Sequence, residues 1–168
     1  MNRQGKRALL GKIKGLNPVE RWSVCNYVVS RYWSGPLQPD EIAFNRELLK
    51  RELDGDETWF HGGLPGREVG DRLLPPSITG SDPRGIGDSI PDRLEYVYFT
   101  YSLEVGEHYA GRVPGGCGQL YEVEPEGEIF ADPIELRVAM LLRDWNVPIN
   151  SFAATSAKVV RILAGEAA

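Results

Sequence analysis

From Glu57 onward the apolar residues of this chain come in short runs rich in aromatic and β-branched side chains. They are ETWFH, REVGDRLL, RLEYVYFTY, GQLYEVEP, GEIF and KVVRILA, each bounded by glycine or proline. Runs of this length and chemistry suit a pleated, half-buried surface, and the residues between them stop a ladder from lengthening. The pattern predicts a sheet of short strands. Two longer patterns between the runs, SLEVGEHYAG and PIELRVAMLLRDW, predict inserted helices. The polar segment PPSITGSDPRGIGDSIPD can continue neither helix nor ladder and reads as a long functional loop.

The first third has a different texture. Asn17-Pro18-Val19-Glu20 supplies an N-cap, a proline at the first helical position and a carboxylate at N3. Trp22, Cys25, Val29 and Trp33 then recur at helical spacing, so a helix is expected to about Trp33. A second helical pattern follows from about Asp40 to the break at Asp54-Gly55. The expected fold class is α+β: a helical N-terminal segment over residues 1–55, followed by a sheet domain with inserted helices over residues 56–168.

A chain of 168 residues holds one proper core rather than two full domains. Its net charge of -5 repels phosphate backbones on average, so there is no strong nucleic-acid signal. No apolar run approaches the roughly 20 residues of a membrane span. Cys25 and Cys117 sit in neither a CxxC nor a Cys/His metal spacing and read as free thiols. The N-terminal tract is basic, but Lys12 and Lys14 interrupt its apolar residues and no signal core follows. The expectation is a cytoplasmic protein with a frayed, solvated N-terminus. Residues 1–55 remain a candidate surface for a protein partner.

Three places carry candidate chemistry. His61 leaves a strand-like run straight into Gly62-Gly63; Tyr98 sits in YVYFTYS; Asp132 lies in EGEIFADP. Each also has a plain reading. A histidine at a strand end is commonly just hydrogen-bonded, and two glycines can be a turn. By period-two alternation Tyr96, Tyr98 and Thr100 share one face and Val97, Phe99 and Tyr101 the other, so any of these aromatics can be core. Asp132-Pro133-Ile134-Glu135 repeats the capping pattern of Asn17, which makes Asp132 a helix cap as well as a candidate acid. Glu124, Glu126 and Glu135 are the competing carboxylates. His108 falls on a helix, and Cys117 has no basic neighbours to activate it.

Taken in order, FHGG with GDRLLP, YVYFT with SLEVGEHYA, and YEVEPEG with ADP resemble the rifamycin (rifampin) ADP-ribosyltransferases, small members of the NAD-dependent ADP-ribosyltransferase fold with a His-Tyr-Asp triad. The resemblance runs from about Glu57 to Asp132. It implies a split-sheet core and cleavage of the nicotinamide–ribose bond of NAD as co-substrate, with no metal. By similarity, His61 would bond a ribose hydroxyl and Tyr98 would stack on nicotinamide. Gly62 would let the backbone approach the nicotinamide amide, and Gly63 and Thr100 would also lie against the bound NAD. Asp132 would face the cation that develops on the sugar. The loop after Leu74 and the helical pattern after Asp132 depart from the family on the side that chooses the acceptor. The acceptor is thus left open among a rifamycin-type antibiotic, a protein and a nucleic-acid end. The competing expectation is a noncatalytic module that binds NAD, ADP-ribose or another protein. A transferase needs His61, Tyr98 and Asp132 to converge on one cleft; in a module Asp132 caps its helix and points away.

Overall fold

The computed structural model describes residues 1–33, 35–80, 94–113 and 115–163. The fold is α+β. Three helices come first: α1 (Arg3–Ile13), α2 (Pro18–Tyr32) and α3 (Pro39–Glu52). The strands β1 (Trp59–Gly63), β2 (Arg72–Leu73), β3 (Val97–Phe99), β4 (Gln119–Glu126), β5 (Phe130–Ala131), β6 (Phe152–Ala154) and β7 (Ser156–Leu163) follow. Between them lie α4 (Pro76–Thr79), α5 (Leu103–Gly111) and α6 (Pro133–Leu141).

Two antiparallel sheets form, one in the order β1-β4-β7-β2 and one in the order β3-β6-β5. They meet at a single bridge, where Phe60 N donates to Thr100 O at 2.7 Å and Thr100 N donates to Phe60 O at 2.9 Å. This seam sets β1 beside β3 and so brings His61 next to Tyr98. Behind it, Trp59 packs edge-on to Phe99 and Phe152, with ring centroids 5.0 Å apart in both pairs. Such edge-to-face contacts suit the ring quadrupoles and add to the burial of the rings themselves.

The capping box at Asn17 forms as its residues dictate: Glu20 N donates to Asn17 Oδ1 at 2.9 Å and Asn17 N to Glu20 Oε2 at 3.2 Å. Cys25 and Val29 point inward, flanked by Trp22 and Trp33. The N-terminal tract is not the frayed end expected of it. Asn2 caps α1 through Gly5 N, and Leu9 and Ile13, one helical turn apart, bury against Ile134, Val138 and Leu142. Helix α3 packs Leu48 into the core of the sheets. The segments either side of residue 55 therefore share both cores.

Six strands were expected and seven are present among the described residues; the addition is β6, in SFAATS, which has too few large apolar residues to signal a strand. Strand β2 keeps only two residues of REVGDRLL. The long loop is described only to Gly80, with Pro76–Thr79 helical; its residues 81–93 lie outside the described residues. The helix expected through Trp145 ends at Leu141, and a 3-10 turn, Arg143–Trp145, follows. No helix among the described residues is long and apolar enough to cross a membrane.

Candidate functional site

His61 is held from three sides. In register it opposes Tyr121 on β4, and the two rings lie 6.4 Å apart at 28°. Its Nδ1 lies 2.7 Å from Tyr98 O. A carbonyl oxygen only accepts, so Nδ1 carries a proton, and in the neutral tautomer Nε2 is the acceptor nitrogen. The ring leans over Gly63: a β-carbon there would stand 2.5 Å from His61 Nε2. That distance explains why the histidine is followed by residues without side chains.

The two glycines do different work in the packing, though both line the cleft. A β-carbon on Gly62 would overlap Ala110 N and Gly106 O, and would stand 2.9 Å from Tyr109 C. Gly62 is glycine because the backbone of α5 lies against it on the face of β1 opposite His61. Gly63 is the one that leaves room for the His61 ring.

Tyr98, the central residue of β3, pairs with Ala153 of β6 in the smaller sheet. Val97 and Phe99 are in the core, and Tyr98 is half-buried. His61, Gly62, Gly63, Tyr98 and Thr100 all line one cleft of about 350 Å³. Its floor is buried and includes Phe99, Tyr121 and Ser151, whereas Leu64, Arg67, Leu74 and Thr79 lie exposed at its mouth. The Thr100 hydroxyl is engaged locally, accepting from Ser102 N at 3.0 Å. A mostly apolar hollow of this size with a few converging polar groups has the character of a small-molecule site.

Asp132 does not join them. Its side chain is fully buried and is not among the residues lining the cleft. Oδ1 accepts from Ile134 N at 2.8 Å, capping α6, while Oδ2 lies 3.4 Å from Trp22 Nε1 and 3.4 Å from Ser151 Oγ. The convergence of three side chains on one cleft is thus corrected to two. Asp132 stands behind Ser151, which does line the cleft. The physical reason is the Asp-Pro start of α6: unpaired amide donors at a buried helix N-terminus draw the nearest carboxylate.

The wall behind the cleft is polar. Glu135, also buried, accepts from Asn150 N at 2.5 Å and Ser151 N at 3.2 Å, and meets Arg21 Nη2 at 3.5 Å. Burial, against the pull of Arg21, raises the Glu135 pKa above the usual carboxylate value. Burial and the neighbouring Glu135 push the Cys25 thiol up to about 12. Of the other candidates, Glu126 pairs with Arg72 and Ser156, and Glu124 is exposed. His108 sits edge-on to Tyr109, and Cys117 is an exposed thiol. Among the described residues no group of three potential ligands could hold a metal ion.

Arg67, Tyr121 and Ser151 were not singled out from the sequence. Tyr121 could have been found by alternation along β4, since it shares a face with Val123; Ser151 carried no signal, because β6 itself was not legible. No family model matches the chain, and no curated protein matches its sequence.

Proposed function

We propose that this chain binds NAD in the cleft between β1 and β3 and transfers its ADP-ribose to an acceptor, as the enzymes its motifs resemble do. The observation that supports this best is the meeting of His61 and Tyr98, 37 residues apart, across the seam of two sheets, joined through Nδ1 and a carbonyl. With Nδ1 so engaged, Nε2 is the atom that would accept from a ribose hydroxyl. The Tyr98 ring would hold the nicotinamide plane. As the C–N bond to the ribose breaks, nicotinamide leaves with the electron pair and an oxocarbenium-like cation remains for the acceptor nucleophile. Asp132 does not line the cleft, so the convergence of three side chains is not met; it would bear on that cation only through Ser151, whose hydroxyl it holds, and the reading rests on His61 and Tyr98.

The burial of Asp132 favours a second reading, a module that binds NAD or ADP-ribose without cleaving it. One experiment separates the two: NAD binding by calorimetry and nicotinamide release by chromatography, in the wild type, Tyr98→Ala and Asp132→Asn. Asparagine can still cap α6 through Ile134 N, and thermal melts of each variant check that the fold is kept where Trp22 and Ser151 lose their acceptor. Release that Asp132→Asn abolishes while binding persists supports the transferase. Binding without release, unchanged in Asp132→Asn, supports the module. Full NAD affinity in Tyr98→Ala would overturn both.

A further inference from the structure

We infer that Arg67 makes the mouth of the cleft a subsite for a phosphate or diphosphate group. It is the single charged side chain among the described residues lining the cleft. The chain as a whole carries a net charge of -5, so a cleft whose described lining offers one cation and no carboxylate runs against the average surface. Arg67 is exposed and forms no ion pair with a described residue. An arginine at such a place presents a planar fork that matches two phosphate oxygens.

The loop that carries it is pinned on both sides. Buried Tyr121 donates from its hydroxyl to Leu64 O at 2.9 Å and accepts from Arg67 N at 3.4 Å. Gly66 turns the chain between them with φ at 93°, a conformation side chains resist. Beyond Arg67, Glu68 N donates to Asp71 Oδ2 at 2.8 Å, and Gly70 N and Asp71 O bond the backbone of Val159, both at 2.8 Å. The loop's own carboxylates, Glu68 and Asp71, are not in the cleft lining. Because Tyr121 also stacks near the His61 ring, one buried residue ties the backbone of Arg67 at the mouth to the imidazole in the cleft. The order of the two, imidazole within and arginine at the exposed mouth, suits a ligand whose sugar lies deep and whose phosphates lie outward.

The inference rests on the NAD reading for the ligand's identity, and its test keeps the two apart. Calorimetric titrations of wild type, Arg67→Ala and Arg67→Lys would use NAD, ADP-ribose and the phosphate-free nicotinamide riboside. Arg67→Ala is expected to weaken NAD and ADP-ribose by roughly 10- to 100-fold, the range of one hydrogen-bonded charge pair, and to leave nicotinamide riboside unchanged. Arg67→Lys recovers part of the loss, and NAD affinity falls with added salt in the wild type more steeply than in Arg67→Ala. Equal NAD affinity in wild type and Arg67→Ala overturns the subsite and leaves the NAD reading intact. Equal weakening of nicotinamide riboside shows that Arg67 shapes the cleft rather than holding phosphate, and also overturns it. A wild type that binds neither NAD nor ADP-ribose overturns the NAD reading and the subsite with it.

Discussion

Adjacent glycines that serve different neighbours should fail in different ways, and Gly62→Ala against Gly63→Ala is the sharpest test of how the cleft is built. At Gly62 the added carbon meets backbone atoms of α5, which cannot rotate away. Relief requires the helix to retreat from β1 by on the order of 1 Å, and overpacking of this kind costs about 1–3 kcal/mol or more. At Gly63 the obstacle is the far edge of one imidazole. The ring can swing off, losing the bond to Tyr98 O, worth about 1 kcal/mol, with a rotamer penalty of about the same size. In a chain of this length 1 kcal/mol moves the melting temperature by about 2–4 °C. Gly63→Ala is therefore expected to fold with a modest loss, at most about 8 °C, and, on the proposed NAD reading, to bind NAD more weakly because His61 is displaced. Gly62→Ala should melt at least as low, with α5 amides exchanging faster. Thermal melts, amide exchange and the His61 ring signals by NMR check this. An unmoved His61 ring in Gly63→Ala, or an undisturbed α5 in Gly62→Ala, would refute the reasoning.

Two further outcomes follow from the buried polar groups. Arg137 Nε meets Glu41 Oε1 at 2.7 Å with both side chains buried, so Arg137→Ala strands a carboxylate and should cost about 3–5 kcal/mol in chemical denaturation, whereas joint replacement by apolar residues should cost much less. Because the folded Cys25 value is raised to about 12 from 9.0, the unfolded chain releases this proton first; the contribution is fully present below pH 9 and is lost as pH rises toward 12. Cys25→Ala should flatten that part of the stability profile, and under native conditions thiol reagents should label exposed Cys117 while sparing Cys25.

Much of the fold was legible because local chemistry and tertiary demand agree. The cap at Asn17, the stripe from Trp22 to Trp33 and the alternation around Tyr98 each say locally what the packing requires. Where they disagree, the sequence misleads. Helix α1 shows four basic residues and looks solvated, yet Leu9 and Ile13, with Leu10 beside them, dock it. Helix α6 is buried from Pro133 through Ala139 on every side, so no polar face marks its orientation, and Arg137 in its middle is a core residue. Strand β6 is written in small residues because Ala153 and Ala154 lie between neighbouring strands with no exposure. The cleft was half legible for a related reason. His61 and Tyr98 announce themselves by residue type, whereas Arg67 and Ser151 matter only through where loops and a cryptic strand put them.

Asp132 is the residue on which sequence and structure pull hardest against each other, and both can be satisfied at once. Asp132 and Glu135 occupy the first turn of α6, and each bonds backbone amides: Ile134 N for one, Asn150 and Ser151 N for the other. Asp132 N in turn donates to Ser151 O at 2.8 Å. The start of α6 and the approach to β6 are thereby tied into one unit, with Arg21 and Trp22 of α2 closing it from behind. The carboxylate that the family resemblance assigns to catalysis is thus also the one that fixes Ser151 in the cleft floor. Its removal by Asp132→Ala would take away cap, charge and Ser151 contact together, and a loss of activity would say nothing about which mattered. The isosteric asparagine comes nearer to separating them, because it keeps the acceptor for Ile134 N while it removes the charge and turns the atom facing Trp22 Nε1 and Ser151 Oγ into a donor.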